Sequence, residues 1–204
     1  MDTNFLGITL LEKVYDKKGY AFFTSGDYNL NIFGIRAYPG TVNKFDDIVG
    51  VAYKVDGEWV LKCFHATTDP GLYWLNNLMN VNGTAILKEG QYRGGWKIGM
   101  HKGQYKALIQ NKPITVYRDR NKDNKHDFDE RNTETGMFGV NIHRATPNAG
   151  QTSTNVDKWS AGCQVIAAND DFNTLMKLVD KASAKYGSVF TYTLFNQRDF
   201  EGVE

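Results

Sequence analysis

The sequence predicts an α+β domain that is mostly β, and three patterns carry that expectation. From Ile48 onward, Val49, Val51, Tyr53 and Val55 alternate with other residues. Asp56-Gly57 then offers a two-residue turn, and Trp59, Leu61, Cys63 and His65 alternate again, the signature of a β-hairpin. Segments 84–88, 91–101, 105–110 and 113–118 are short β-prone runs separated by Gly, Asn and Pro. Late in the chain, Phe172, Leu175, Met176, Val179 and Ala182 form a helical stripe. Asn169 is placed to cap it, Asp170 and Asp171 fall in its first turn, and Gly187 follows its end.

The remaining elements fit around these. Ile8, Leu11, Val14 and Tyr15 recur at helical spacing before Lys17-Lys18-Gly19, so a helix is expected over residues 4–18. Residues 189–195, VFTYTLF, read as a closing strand. Between them, residues 141–163 are rich in Asn, Thr, Ser and Gly with little periodicity, and long irregular stretches inside compact domains are disproportionately functional. A chain of 204 residues without a linker, repeat or low-complexity tract suits a single domain, 1–204.

The charge balance argues against classes of partner. With 24 Lys plus Arg against 23 Asp plus Glu, no overall field draws the chain to nucleic acid or to an anionic membrane. No stretch approaches the roughly 18 apolar residues of a membrane span, so no membrane insertion is expected. The first 20 residues lack the pattern of a signal peptide, so synthesis in the cytoplasm is expected. Two cysteines, Cys63 and Cys163, make no disulfide framework and are expected to be free thiols.

Cys163 and His143 are the candidate chemistry. A thiol becomes a strong nucleophile beside an imidazole, and backbone N–H groups near it can hold a developing oxyanion. Cys163 follows Trp159-Ser160-Ala161-Gly162, where Gly162 permits an unusual backbone and close substrate approach. His143 lies 20 residues upstream in Gly139-Val140-Asn141-Ile142-His143-Arg144, whose alternation suggests a strand that presents the imidazole at its end. A buried structural thiol is the competing reading of Cys163. Cys63 and His65 form a rival pair on one strand face, where core packing is the expected role.

His143, a spacer, and Ser160-Ala161-Gly162-Cys163 together resemble the signature of the L,D-transpeptidase catalytic domain, in which a His precedes a Ser-His-Gly-Cys element. The resemblance covers residues 84–195, and residues 1–83 align to nothing in that pattern. It implies a β-sandwich with a few flanking helices, and chemistry on the peptide stems of peptidoglycan. Cys163 would be acylated, His143 would move the proton, and backbone N–H groups around Gly162 and Cys163 would hold the oxyanion. Ser160 would shape the turn or assist by hydrogen bonding. Ala161 stands where the family has its second His, and Gln164-Val165 replaces an Ile/Val-Arg pair. Arg144 is the candidate to hold a substrate carboxylate in place of that Arg, with Trp159 and His101 as further substrate contacts.

Residues 119–130, DRNKDNKHDFDE, follow the ligand order of an EF-hand loop. Asp119, Asn121, Asp123, Asp127 and Glu130 supply side-chain oxygens at positions 1, 3, 5, 9 and 12, and the carbonyl of Lys125 stands at position 7. Asn124 replaces the usual turn Gly, and the flanks read as strand and loop instead of helices. A structural calcium ion is therefore the expected cofactor, and since the loop ends 13 residues before His143 it is placed to steady that strand.

Three functions follow as expectations. The first is a cysteine peptidase or carboxypeptidase cleaving peptidoglycan stems, as a phage lysis enzyme reaching the wall after release would do. The second is an L,D-transpeptidase that forms cross-links. The third is a non-catalytic, calcium-stabilised wall-binding or structural module.

Overall fold

The computed structural model describes residues 1–203. Helix α1 (Ile8–Lys17) buries Leu11, Val14 and Tyr15 and ends where Gly19 turns left-handed. It starts four residues later than expected because residues 4–5 form a turn, closed by Leu6 N–H on Thr3 O. Strand β1 (Asn31–Arg36), for which the sequence carries no clean alternation, is buried along its whole length. The hairpin of β2 (Asp47–Val55) and β3 (Glu58–Thr67) turns at Asp56-Gly57, both at positive φ. A short helix, α2 (Leu72–Asn76), then leads to β4 (Thr84–Leu87), β5 (Gly90–His101), β6 (Tyr105–Gln110) and β7 (Ile114–Asp119).

Strands β8 (Thr133–Gly136), β9 (Ile142–Arg144) and β10 (Gln164–Ile166) are three or four residues long, too short to leave a periodic trace in sequence. Helix α3 (Asn169–Tyr186) and strand β11 (Val189–Asn196) follow, with a 3-10 turn over Gln197–Phe200. Ala168, not Asn169, is the N-cap of α3. The Asn169 side chain is drawn away from the cap, donating to Thr146 O at 3.1 Å and accepting from Asn173. Gly187 ends the helix at φ 84°.

The chain is mostly β with helices on the outside, but the strands do not stack as a sandwich. Eight close into a barrel in the order β1-β11-β5-β6-β9-β10-β3-β2, and β4, β7 and β8 form a separate three-stranded sheet. Two parallel pairings make the closure. Strand β11 joins β1 in parallel while lying antiparallel to β5, and β10 joins β9 in parallel while lying antiparallel to β3. Both sheet edges are thereby paired, which removes the exposed edges an open sheet must protect. Residues 1–83 supply β1, β2 and β3, so they are part of the barrel wall and no appendage.

One apolar cluster joins barrel strands to α3 through Leu108, Ile142, Ile166, Phe172 and Leu175. Trp96, fully buried, anchors it and donates from Nε1 to Val140 O at 2.9 Å. A second cluster lies under α1, where Leu11, Val14 and Tyr15 meet Phe33, Ile35 and Phe195. Cys63 packs against this second cluster and burial pushes its thiol up to about 11, whereas His65 is exposed, so core packing holds for Cys63 and not for His65. Both cysteines are free.

Arg36, 2 % exposed, ties barrel to small sheet. Its guanidinium contacts Asp69 at 2.8 Å and Glu89 at 2.7 Å and donates to Leu87 O and Thr68 O. Arg36→Leu should lower stability by about 3–5 kcal/mol, because two carboxylates are left without their buried cation. Urea unfolding measures this, and a loss under about 1 kcal/mol would show the network to be dispensable.

Candidate active site: a thiol and two stacked imidazoles

The register of β9 and β10 brings the sequence-distant candidates together. Gln164 lies opposite Ile142 and Val165 opposite His143. Cys163 and Asn141, each one residue before its strand, are therefore neighbours, with His143 two residues along on Asn141's side of the strand. The Asn141 N–H donates to Cys163 Sγ at 3.4 Å, and the thiol donates to Gly139 O at 3.6 Å. Cys163 is half-buried and opens on a cleft of about 460 Å³ that His143 and His101 also line.

The turn before Cys163 is locked by backbone geometry. Gly162 sits at φ +119°, and a Cβ there would collide with the carbonyl oxygen of Ala85 in β4. Ser160, fully buried, accepts from Gly162 N–H at 3.1 Å and donates to Cys163 O at 2.8 Å. Ser160 therefore braces the turn and touches no cleft. The Gly162 N–H is taken by Ser160, so the oxyanion donor expected from that residue is engaged.

Hydrogen bonds determine which imidazole nitrogens carry protons. His143 Nδ1 lies 2.8 Å from Arg144 O, a carbonyl that can only accept, so Nδ1 is protonated and Nε2 is the basic nitrogen. Tyr105 OH adds contacts at 3.4 Å to Nδ1 and 3.5 Å to Arg144 O. Asn141 Oδ1 accepts from Gln110 N–H at 3.0 Å, which turns its amide Nδ2 toward His101 Nδ1 at 3.1 Å. His101 therefore accepts at Nδ1 and carries its proton on Nε2.

The two rings stack with centroids 4.0 Å apart and planes 27° from parallel. Burial, then the neighbouring His101, lowers His143 to about 3; burial, then Lys102, lowers His101 to about 4. Burial also pushes the Cys163 thiol above its ordinary value, opposed by the Asn141 N–H and by Lys102. The resting pair is thus neutral thiol and neutral imidazole. The nitrogen of His143 left without a proton is Nε2.

The expected substrate contacts take different places. Trp159, 42 % exposed, and His101 line the thiol cleft. Arg144 lines a second cleft of about 280 Å³ and stacks on Tyr105, 4.2 Å from its ring centroid. His101, Lys102, His143, Lys158 and Trp159 border both spaces, so the clefts are two lobes meeting at the imidazoles. Sequence reading missed Asn141, Lys102, Lys158 and Tyr105. For Asn141 the signal was its place two residues before His143 in the same alternating run; the others carried none.

The acidic loop connects β7 to β8, and the strand character of 133–136 replaces the loop expected there. Asp119 is fully buried; its Oδ2 accepts from Asp127 N–H at 3.1 Å and its Oδ1 has no partner. Asn121 Oδ1 accepts from Asp123 N–H, Asp123 Oδ1 from Lys125 N–H, and Asn124 takes φ +65°. Glu130 faces away, bonded to Tyr117 OH at 3.0 Å and paired with Lys88. Among the described residues, no three His, Cys, Asp or Glu side chains are gathered as a metal site. The loop packs on the segment around α2, through His126 Nε2 at 3.0 Å from Pro70 O and Asn76 Nδ2 at 2.8 Å from Asn124 Oδ1.

Comparison of the chain with protein-family models, curated proteins and solved structures finds no match. No helix among the described residues is long and apolar enough to cross a membrane.

Two outcomes follow from this geometry. An imidazole free in the unfolded chain titrates near 6.5, whereas folded His143 titrates near 3. Between those values the unfolded state binds more protons, so stability is full above pH 6.5 and falls as pH drops toward 3. His143→Gln should flatten this loss in urea unfolding followed from pH 7 to about pH 4, and an unchanged slope would assign the acid sensitivity elsewhere. Gly162→Ala should cost about 1–3 kcal/mol through strain alone, read as a lowered melting temperature; an unshifted melt would mean that the turn tolerates a side chain.

Proposed function

We propose that the chain is a cysteine-dependent hydrolase of peptidoglycan peptide stems, acting on the cell wall. One observation carries the reading: the Cys163 thiol and the His143 imidazole border one cleft, with Arg144 O holding Nδ1–H so that Nε2 is the base. The residue pattern that resembles the L,D-transpeptidase signature supplies the substrate class. Cys163 Sγ attacks a stem carbonyl and its proton passes to His143 Nε2. The amide C–N bond breaks, the amine leaves with that proton, and a thioester remains on Cys163. Water, deprotonated by His143, then cleaves the thioester and restores the thiol.

Peptide stems carry free carboxylates, and Lys102 and Lys158 border both lobes of the cleft, where they complement such groups. Arg144, in the smaller lobe, adds a third cation. A volume near 460 Å³ is in the range that encloses a short peptide segment.

The two-lobed cleft also favours a second reading, cross-linking by an L,D-transpeptidase, in which the amine of another stem enters through the Arg144 lobe and resolves the thioester. Mass spectrometry of muropeptides incubated with wild type and with Cys163→Ala separates the outcomes. Shortened stems mean hydrolysis, and dimers mean transfer. Cys163→Ala should reduce turnover by about 10³-fold or more. Equal products from both proteins, or none from wild type on any muropeptide, would sink the proposal and leave a non-catalytic wall-binding module.

A further inference from the structure

We propose that the β7–β8 loop, residues 119–127, binds one calcium ion that clamps the wall of the thiol cleft. The ligands assigned are the side-chain oxygens of Asp119, Asn121, Asp123 and Asp127 and the main-chain carbonyl of Lys125; these carboxylates are not gathered around one point without the ion and would close on it as it binds, with water completing the shell. The acidic spacing is only part of the case. The decisive feature is Asp119, fully buried, with Oδ1 lacking any hydrogen-bond partner. A carboxylate oxygen withdrawn from water normally finds a donor or a cation, because desolvation is costly otherwise. Its companion Oδ2 accepts from Asp127 N–H across the loop, so the carboxylate faces the loop interior.

The donor set selects the metal. All five ligands are oxygens, as a hard cation with a flexible shell of 6–8 ligands requires. His126 is turned to Pro70 O and Asp69 and contributes no nitrogen, which argues against zinc. Asn124 adopts the left-handed conformation at the position where such loops turn sharply. Glu130, held by Tyr117 and Lys88, is not among the ligands.

The loop reaches the cleft through the α2 segment, not through the strand of His143 as its place in sequence suggests. His126 and Asn124 hold Pro70 and Asn76. In the same segment Gly71 N–H donates to Ser160 O at 2.9 Å and Trp74 Nε1 to Lys158 O at 3.1 Å. An ion that stiffens the loop therefore stiffens the turn carrying Cys163.

The test uses the full chain, stripped with EGTA and titrated with CaCl2 by calorimetry and by thermal melting. One ion per chain should bind, and at a hundredfold excess over Kd the melting temperature should rise by about 5–10 °C. Magnesium should bind more weakly. Asp119→Asn should weaken calcium at least about tenfold. Asp123→Asn, at an exposed position, should do the same and serves if the buried variant does not fold. Cys163→Ala should keep wild-type affinity, which makes the result independent of the proposed activity. Absence of both heat and melting shift up to about 10 mM CaCl2, or wild-type affinity in both aspartate variants, would overturn the site. Calcium should also slow amide exchange at Gly71; binding with exchange there unaltered would overturn the clamp.

Discussion

The buried Arg36 guanidinium is the interaction on which the rest of the architecture depends. It leaves β1 of the barrel and is met by Asp69 two residues beyond β3, by Glu89 between β4 and β5, and by the carbonyls of Leu87 and Thr68. A charge withdrawn from water is tolerable only with such complete pairing, and once paired it cannot move without stranding its partners. Barrel, small sheet and the segment leading to α2 are therefore held in one relative position. Phe128 of the acidic loop lies against the same guanidinium, 5.0 Å from it.

That fixed position creates the cleft. The small sheet's β4 runs past the starts of β9 and β10, and Gly162 passes so close to Ala85 that no side chain fits between. Arg118 of β7 donates to Gly83 O at 3.0 Å, and Thr84 Oγ1 donates to Trp74 O at 2.6 Å, tying α2 to the same edge. The thiol is thereby displayed on backbone packed closely against β4. Asn141 is the hub: its N–H meets the thiol, its carbonyl accepts from Gln164 N–H, and its amide links Gln110 to His101.

Electrostatics at the site follow from depth. Two imidazoles stacked in a poorly hydrated pocket resist protonation, and a thiol beside them resists ionisation. Such a pair rests as neutral thiol and neutral imidazole, which distinguishes it from a preformed thiolate–imidazolium pair. Lys102, near enough to act on all three groups, biases them the same way, toward neutral rings and an easier thiolate.

Local physics made several features legible in the sequence alone. The hairpin around Asp56-Gly57, the long helix before Gly187 and the β-prone runs of the middle are set by alternation, turn chemistry and helical spacing, which act over a few residues. Cys163, His143 and the acidic loop were visible because side-chain chemistry is written in residue identity. Barrel closure was not, because it rests on β11 meeting β1 and β10 meeting β9 across more than 150 and about 20 residues respectively. For the same reason only the tertiary structure decided that His101 stacks on His143, that Asn141 joins them to the thiol, that Ser160 takes the turn-shaping one of its two expected roles, and that Asn169 bonds Thr146 instead of capping its helix. Periodicity tells which face of an element is apolar; which elements meet, and in what register, is decided by packing over the whole chain.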